Sequence, residues 1–446
     1  MKVLDTRAME IAEIHKTLRR PEIDEVTLEP QVAARLHEIF GRPLSAAEAV
    51  AEIVQDVATR GDAAVLDYSW RIDAVKLQPE TLFVSEEEMA KAQREADPTV
   101  VADIRAAAEQ ITAFHTMQLR NSTFMAGPGG AVLAQRILPI DRVGCYVPGG
   151  RAPLVSSALM SVIPARVAGV KEIIAATPPN RQGEVDCHIL VALQEAGAHR
   201  VLKVGGAQAV AALAFGTESI PRVDKIVGPG NIFVTLAKRQ VFGRVGIDSL
   251  AGPSEIMIVA DDTAPVELVA ADLLSQAEHD PAAAAILVTP SKTLLQNVLD
   301  EIERQLATLA REMTARESLA RWGRAVLCRD LAEACELVNV VAPEHVELLV
   351  ADPWALLSQV RHAGAIFLGA ASAEPIGDYV AGPNHILPTN GTARFASALG
   401  VDDFVKRSNI IAYTEAALAQ LGPVAVRLAD IEGLGAHAAS VRRRLL

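Results

Sequence analysis

Residues 142–150 read RVGCYVPGG, a short apolar run closed by a proline and two glycines. A run of that length ending in a glycine turn, with the helical pattern Ser156–Val167 after it, is the opening of a strand–helix–strand unit. The same rhythm continues downstream. Glu172–Ala176, Arg200–Val204 and Asp224–Val227 are expected strands, and Cys187–Glu195, Ala207–Phe215 and Ile232–Phe242 the helices between and after them. Strict alternation with short loops predicts a parallel sheet covered by helices on both faces.

A second series begins at Glu255. Expected strands at Glu255–Ala260, Ala283–Thr289, Ala325–Cys328, Val346–Leu349 and Ala365–Leu368 alternate with helices at Pro265–Ala277, Leu294–Ala310, Leu331–Val338 and a short one ending at Leu356. The fold class is therefore α/β, with two Rossmann-like doubly wound parallel-sheet domains and small helical extensions at both ends. The division expected is a helical arm over 1–42, a discontinuous α/β domain over 43–145 and 251–398, a second α/β domain over 146–250, and a helical tail over 399–446. Within the early part, Ser45 and Glu48 form a capping-box pair ahead of a helix that stops at Gly61, and Ser85–His115 reads as one helical run. His37 and His115 fall in such runs and read as ordinary helix residues.

At 446 residues the chain exceeds what one core usually supports. Its apolar runs are too short to span a bilayer, and the charged first residues lack the apolar centre of a signal peptide, so the cytoplasm is the expected setting. The net charge of −13, with basic clusters only at Lys16–Arg20 and Arg442–Arg444, argues against nucleic acid. Four scattered cysteines, none in a CxxC pair, indicate neither a disulfide framework nor a cysteine-rich zinc site.

Chemistry-bearing residues collect in a few places. Tyr146 to Gly150, Gly205 to Gln208 and Gly228 to Asn231 each end a strand and precede a helix, where backbone N–H groups can hold phosphate. None is GxGxxG, so a nucleotide site and plain tight turns both remain open. In Leu273–Asp280, Gln276 and His279 share one helix face and could both reach a cation, although two ligands alone do not make a metal site. Glu344 and His345 set a carboxylate beside an imidazole at a strand start, equipment suited to general base work. Asp378 and His385 lie in a long glycine- and proline-rich loop, and Glu432 and His437 in a terminal segment too poor in apolar residues to fold alone.

Taken together, the stretches 146–150, 205–208, 228–231, AGPSE (251–255), SQAEH (275–279), APEH (342–345), GDY (377–379) with NHILPT (384–389), and 432–437 resemble the histidinol dehydrogenase family. The resemblance implies a Zn2+ ion in each subunit held by Gln276, His279, Asp378 and His437. It implies a two-step oxidation of L-histidinol to L-histidine with NAD, the last step of histidine biosynthesis. His345 then matches the base that takes the hydroxyl proton, and Glu344 the acid/base that activates water. Ser254 and Glu432 match substrate contacts, together with Gln276, His279, His345, Asp378 and His437, while Tyr146, Gln208 and Asn231 match NAD contacts. A homodimer is implied, with the tail completing the partner's site.

Cys145 reads as a packed, passive thiol and His385 as a structural hydrogen-bonding residue. Arg151 departs from the family pattern. An extra guanidinium there would suit an anionic substrate, so a zinc/NAD dehydrogenase of another small alcohol, such as a sulfonated diol, is the alternative. A regulatory protein on a decayed enzyme frame is a third reading, disfavoured because the implied ligands and both acid/base residues are present.

Overall fold

Strands buried on both faces read as near-continuous apolar runs, and the strands Glu255–Ala260 and Ala284–Thr289, apolar but for Glu255 and Thr289, are buried throughout. A computed structural model describes residues 1–21, 23, 28–149 and 153–445. Arg151 lies outside the described residues. Six parallel strands form one sheet in the order Lys2–Asp5, Arg324–Leu327, Ala284–Thr289, Glu255–Ala260, His345–Leu349, Ala365–Leu368. Five form another, in the order Arg200–Leu202, Glu172–Ala176, Arg142–Tyr146, Lys225–Val227, Gly246–Ile247.

Both sheets are doubly wound. Ile174 and Ala176 pack into one core and Ile173 and Ala175 into another on the opposite face of the five-stranded sheet. Met257 and Val259 face one core of the six-stranded sheet, while Ile256, Ile258 and Ala260 face its other core. Side chains alternate across a strand, so each sheet is sandwiched between helical layers. Strand order reverses between Arg142–Tyr146 and Lys225–Val227 in one sheet and between Glu255–Ala260 and His345–Leu349 in the other. In open α/β sheets ligands gather beside such a reversal, by rule outside the carboxyl ends of the strands.

The extensions are less purely helical than the sequence predicts. Lys2–Asp5 is an edge strand paired with Arg324–Leu327, ahead of helices Ile11–Leu18 and Pro30–Phe40. In the tail, Val405–Ala412 pairs antiparallel with Val132–Pro139, which also pairs with Thr123–Ala126, before helices Glu415–Ile431 and Gly435–Arg442. This third sheet was hidden because its strands are mostly exposed and lack a clean two-residue alternation.

Packing also departs from the expected division at 43–145. Helix Ala46–Arg60, opened by the anticipated Ser45–Glu48 capping box, joins a core of the five-stranded sheet, as does the next helix, Asp62–Asp73. The run 85–115 is two helices, Glu86–Glu95 and Pro98–Thr116, broken where Asp97 caps the second, and both lie on the other face of that sheet. An amphipathic stripe reveals that a helix packs, not which sheet it packs on. We propose that residues 46–116 belong with the five-stranded unit. A helix at Glu312–Arg321, absent from the sequence reading, covers the six-stranded sheet.

Candidate active site

The catalytic candidates sit at the amino edge of the six-stranded sheet, at its reversal point. Helix Leu331–Val341 ends at Ala342 in a left-handed conformation, and Pro343 then delivers Glu344 and His345 to the start of their strand. The neighbouring strand starts at Glu255, whose backbone serves both side chains. His345 Nδ1 lies 3.0 Å from the Glu255 carbonyl, and the Glu255 N–H donates to Glu344 Oε2 at 2.9 Å. A carbonyl only accepts, so Nδ1 carries the proton and Nε2 keeps its lone pair. Burial pushes His345 down to about 4, against the opposing pull of Asp378 and the Glu255 carbonyl. Burial drives Glu344 well above the carboxylate range; the Glu255 N–H opposes this, and the nearby carboxylates Glu255, Asp378 and Glu374 reinforce it.

Next to this pair, helix Val266–Ala277 ends with its carbonyls toward the same edge, the end of a helix that favours a cation. Gln276 is buried to 1% exposure, and neither atom of its carboxamide has a hydrogen-bond partner. One turn on, His279 has a ring nitrogen within 4.8 Å of carboxylate oxygens from Glu374 and Asp378, which are likewise within that distance of each other. Glu374 and Asp378 are four residues apart on helix Glu374–Tyr379, one above the other. Glu374 Oε1 is also 3.7 Å from His345 Nε2.

These carboxyls titrate in opposite directions. Burial, then the Asp378 charge, pushes Glu374 up to about 8. Burial would raise Asp378 as well, but the hydrogen bond and charge of His385, then the charges of His345 and His279, hold it below its usual value. Behind them Glu347, pushed up to about 9 by burial and then by Asp272, accepts the Glu374 N–H at 2.9 Å and so fixes the start of that helix.

His385 joins the two sheets. Its Nδ1 is 3.5 Å from Asp378 Oδ1, and its Nε2 is 3.5 Å from the hydroxyl of Ser157, in the first turn of helix Val155–Ala168 on the five-stranded sheet. The carboxyl edge of one sheet therefore meets the amino edge of the other. On the carboxyl edge, Gly228 has a φ of +110°, and a Cβ there would lie 2.1 Å from the Tyr146 carbonyl, so only glycine allows the loop this approach. Its N–H donates to Asp248 at 2.8 Å, and Asp248 pairs with the buried Lys238.

The three residues matched to NAD contacts line this edge, each with a protein partner. The buried Tyr146 hydroxyl accepts the Gly206 N–H at 3.1 Å. Gln208 is fully buried; its Nε2 donates to Asp73 at 3.1 Å and its Oε1 is unpartnered. Asn231 is exposed and caps helix Ile232–Val241 through N–H bonds from Phe233 and Val234. Cys145 is buried, its thiol directed to the Ser161 carbonyl and its acidity suppressed by burial, in keeping with a passive thiol. His115 is likewise buried, bonded to the Ile111 carbonyl.

Not every expected residue reaches the cluster. Ser254 is adjacent to Glu255 at the amino edge. Glu432 and His437 are exposed in the tail, and His437 is not part of the His279–Glu374–Asp378 group. The tail helices pack on each other and on residues 128–130, leaving Leu428, Ile431 and Leu434 exposed at 56%, 82% and 41%, a pattern typical of a surface awaiting a partner. Glu374, Glu347 and the Glu255 backbone were missed by sequence reading. For Glu374 a signal existed: it stands one helical turn before Asp378.

Known proteins resemble this chain closely. A family model described as histidinol dehydrogenase matches residues 42–445. The histidinol dehydrogenase of Geobacillus kaustophilus is 53% identical over 397 residues, covering 89% of this chain and 93% of that one. That of Thermosynechococcus vestitus is 52% identical over 396 residues, covering 89% and 92%. The crystal structure of histidinol dehydrogenase from Elizabethkingia anophelis superimposes with a TM-score of 0.90 at 34% identity, covering 100% of this chain and 98% of that one.

Proposed function

The chain belongs to the histidinol dehydrogenase family of oxidoreductases, and we propose that it oxidises L-histidinol to L-histidine through L-histidinaldehyde, with one NAD reduced in each of two steps. The observation that carries this reading is the buried Gln276 carboxamide with no hydrogen-bond partner, one turn from His279 and its two carboxylates. A buried amide left unpaired is costly, and a cation at the end of that helix would satisfy its oxygen. The donor set of amide oxygen, imidazole nitrogen and carboxylate fits Zn2+. Gln276, His279 and Asp378 would hold it, with His437 of a second subunit as the fourth protein ligand. Bound there, the ion would fix the substrate's amino and imidazole groups and draw charge from its alcohol.

The chain's own residues then divide the work. His345, neutral and with Nε2 free, takes the hydroxyl proton as hydride leaves the carbinol carbon for the oxidised nicotinamide. Glu344, acting in its ionised form, takes a proton from water as that water adds to the aldehyde and its carbonyl oxygen is protonated. A second hydride then leaves the resulting gem-diol for a second oxidised nicotinamide while His345, having released its first proton to solvent, takes the hydroxyl proton, and the acid formed ionises to the carboxylate. NAD would lie along the glycine loops of the five-stranded sheet, with Tyr146, Gln208 and Asn231 at its edge. Relatives named histidinol dehydrogenase, matched over about nine-tenths of the chain, favour this substrate over a sulfonated diol.

A homodimer in the cytoplasm is part of the proposal. The exposed apolar side chains of the tail, and an exposed His437 that lies outside the His279–Glu374–Asp378 group of its own subunit, support an exchange of tails between subunits. His437→Ala is expected to lose metal and turnover while remaining dimeric. Full metal content in that variant would remove His437 from the ligand set.

The deciding experiment counts NADH formed per L-histidinol consumed by zinc-loaded protein, with a sulfonated diol in parallel. Two NADH per histidinol, abolished by a chelator and restored by zinc, is the expected result. Turnover of the diol alone would transfer the specificity elsewhere.

A further inference from the structure

The family model begins at residue 42, yet one side chain of the preceding arm reaches the back of the catalytic pair. Arg20, at 9% exposure, lies with its guanidinium 4.1 Å from the centroid of Trp322 and donates to the Ala282 carbonyl. Its Nε has no hydrogen-bond partner and stands 3.8 Å from Oε1 of Glu255, which is 2% exposed. The next residue is also tied down, for the Pro21 carbonyl accepts from Asn390 Nδ2 at 3.0 Å. Asn390 itself occupies a left-handed conformation at φ +53° and lies against Gly252, where an added Cβ would come within 3.1 Å of it. Arm, AGPSE turn and the loop after NHILPT thus meet at one point.

We propose that Arg20 is a positioning residue for the Glu344–His345 pair, acting through Glu255. The geometry makes Glu255 the natural intermediary. Its N–H holds Glu344 and its carbonyl holds His345, so any shift of this residue moves both groups at once. A buried carboxyl is held in place by a cation beside it, and removing the cation leaves the group without that partner and lets the segment rearrange. Burial disfavours the charge of Arg20, as does Arg324, while Glu255 first and then Asp280 favour it. Arginine is suited to this place because its planar group stacks on an indole while pairing with a carboxylate.

The inference rests on the proposed dehydrogenase activity, and its test keeps the two apart. Arg20→Met and Arg20→Lys are each made in the parent and in an Glu255→Gln background, all as zinc-loaded full-length protein. Arg20→Met is expected to lower kcat for histidinol about tenfold with KM changed less than about twofold, because misplacement of reacting groups affects the chemical step. Arg20→Lys should recover part of that loss, and it replaces Arg20→Met in the comparison if the latter does not fold. In the Glu255→Gln background the Arg20 substitution should cost less than about twofold, since coupled residues do not add. Parental kcat in Arg20→Met, or the same fold loss in both backgrounds, would overturn the role through Glu255.

A readout independent of turnover uses 15N-histidine NMR of the His345 ring. The parent should show the tautomer protonated on Nδ1, and Arg20→Met should mix in the other form. An unchanged His345 spectrum in Arg20→Met would overturn the proposal even if histidinol proved not to be the substrate.

Discussion

The two parallel sheets present opposite edges to each other, joined through His385, and they are opposite in chemistry as well. Helices run antiparallel to the strands they cover, so a sheet's carboxyl edge carries helix N-termini and its amino edge carries helix C-termini. The five-stranded sheet offers its carboxyl edge, where glycine loops and the first turns of helices Val155–Ala168, Gly206–Phe215 and Ile232–Val241 present N–H groups suited to a phosphate-bearing cofactor. The six-stranded sheet offers its amino edge, where the end of helix Val266–Ala277 presents carbonyls and the neighbouring side chains are carboxylates and imidazoles suited to a cation. One doubly wound architecture thus offers helix N-termini at one edge and helix C-termini at the other, depending on which way the sheet is turned. His385, touching Asp378 on one side and Ser157 on the other, marks the line where they meet.

This contrast predicts that proton chemistry belongs to the amino edge alone. The largest expected effect is for His345→Asn, which removes the proposed base of both oxidations and should lower kcat by about 10³-fold, within the usual range for a general base. Stopped-flow NADH formation with histidinol and with histidinaldehyde reads the two steps separately. A loss confined to one of them would show that His345 does not serve both. Glu344→Gln comes next. It keeps an acceptor for the Glu255 N–H but cannot take a proton from water, so aldehyde oxidation should fall by about 10²-fold and alcohol oxidation by much less. Equal losses would contradict the division of labour.

The buried acids also leave a signature in stability. Glu255 is pushed up to about 7, by burial first and against the pull of Arg20. Its folded value lies above its unfolded one, so the native state holds the proton more tightly. That contribution is complete below about pH 4.5 and is lost as pH rises through about 7. Glu255→Gln cannot titrate, so relative to the parent its melting temperature should improve between pH 5 and 7.5, by a change on the order of a few kcal/mol in unfolding free energy at most. Parallel curves for the two proteins would mean that Glu255 is not a buried acid of raised pKa.

The same contrast explains what was legible in the sequence. Strands and helices of both sheets were visible because full burial writes continuous apolar runs such as Ile256–Ala260 and Ala284–Val288. Gln276, His279, Glu344, His345 and Asp378 were visible because short motifs hold them. Glu347 was not, since a buried acid inside a strand has no local pattern, and Glu374 was passed over although it stands one helical turn before Asp378. The value of Arg20 depends on a contact with a residue 235 positions later, which no window along the chain contains. The exposed strands 123–139 and 405–412 were missed for the opposite reason: with little buried, they carry little hydrophobic periodicity.

The smallest effect bears on the carboxyl edge, where a residue matched to cofactor binding already has a structural task. Asn231 accepts N–H bonds from Phe233 and Val234 at 3.0 and 3.2 Å and so caps its helix. Asn231→Ala should cost about 1 kcal/mol of stability through loss of the cap. Asn231→Asp keeps the cap and restores that stability, yet it sets a negative charge beside a cofactor's phosphates, so its KM for NAD should rise above that of the parent. The two substitutions therefore separate what one side chain does for the helix from what it does for the ligand. Should KM for NAD follow stability across both variants, with Asp as good as Asn, the residue serves the edge only by shaping it, and the anion site is made of backbone alone.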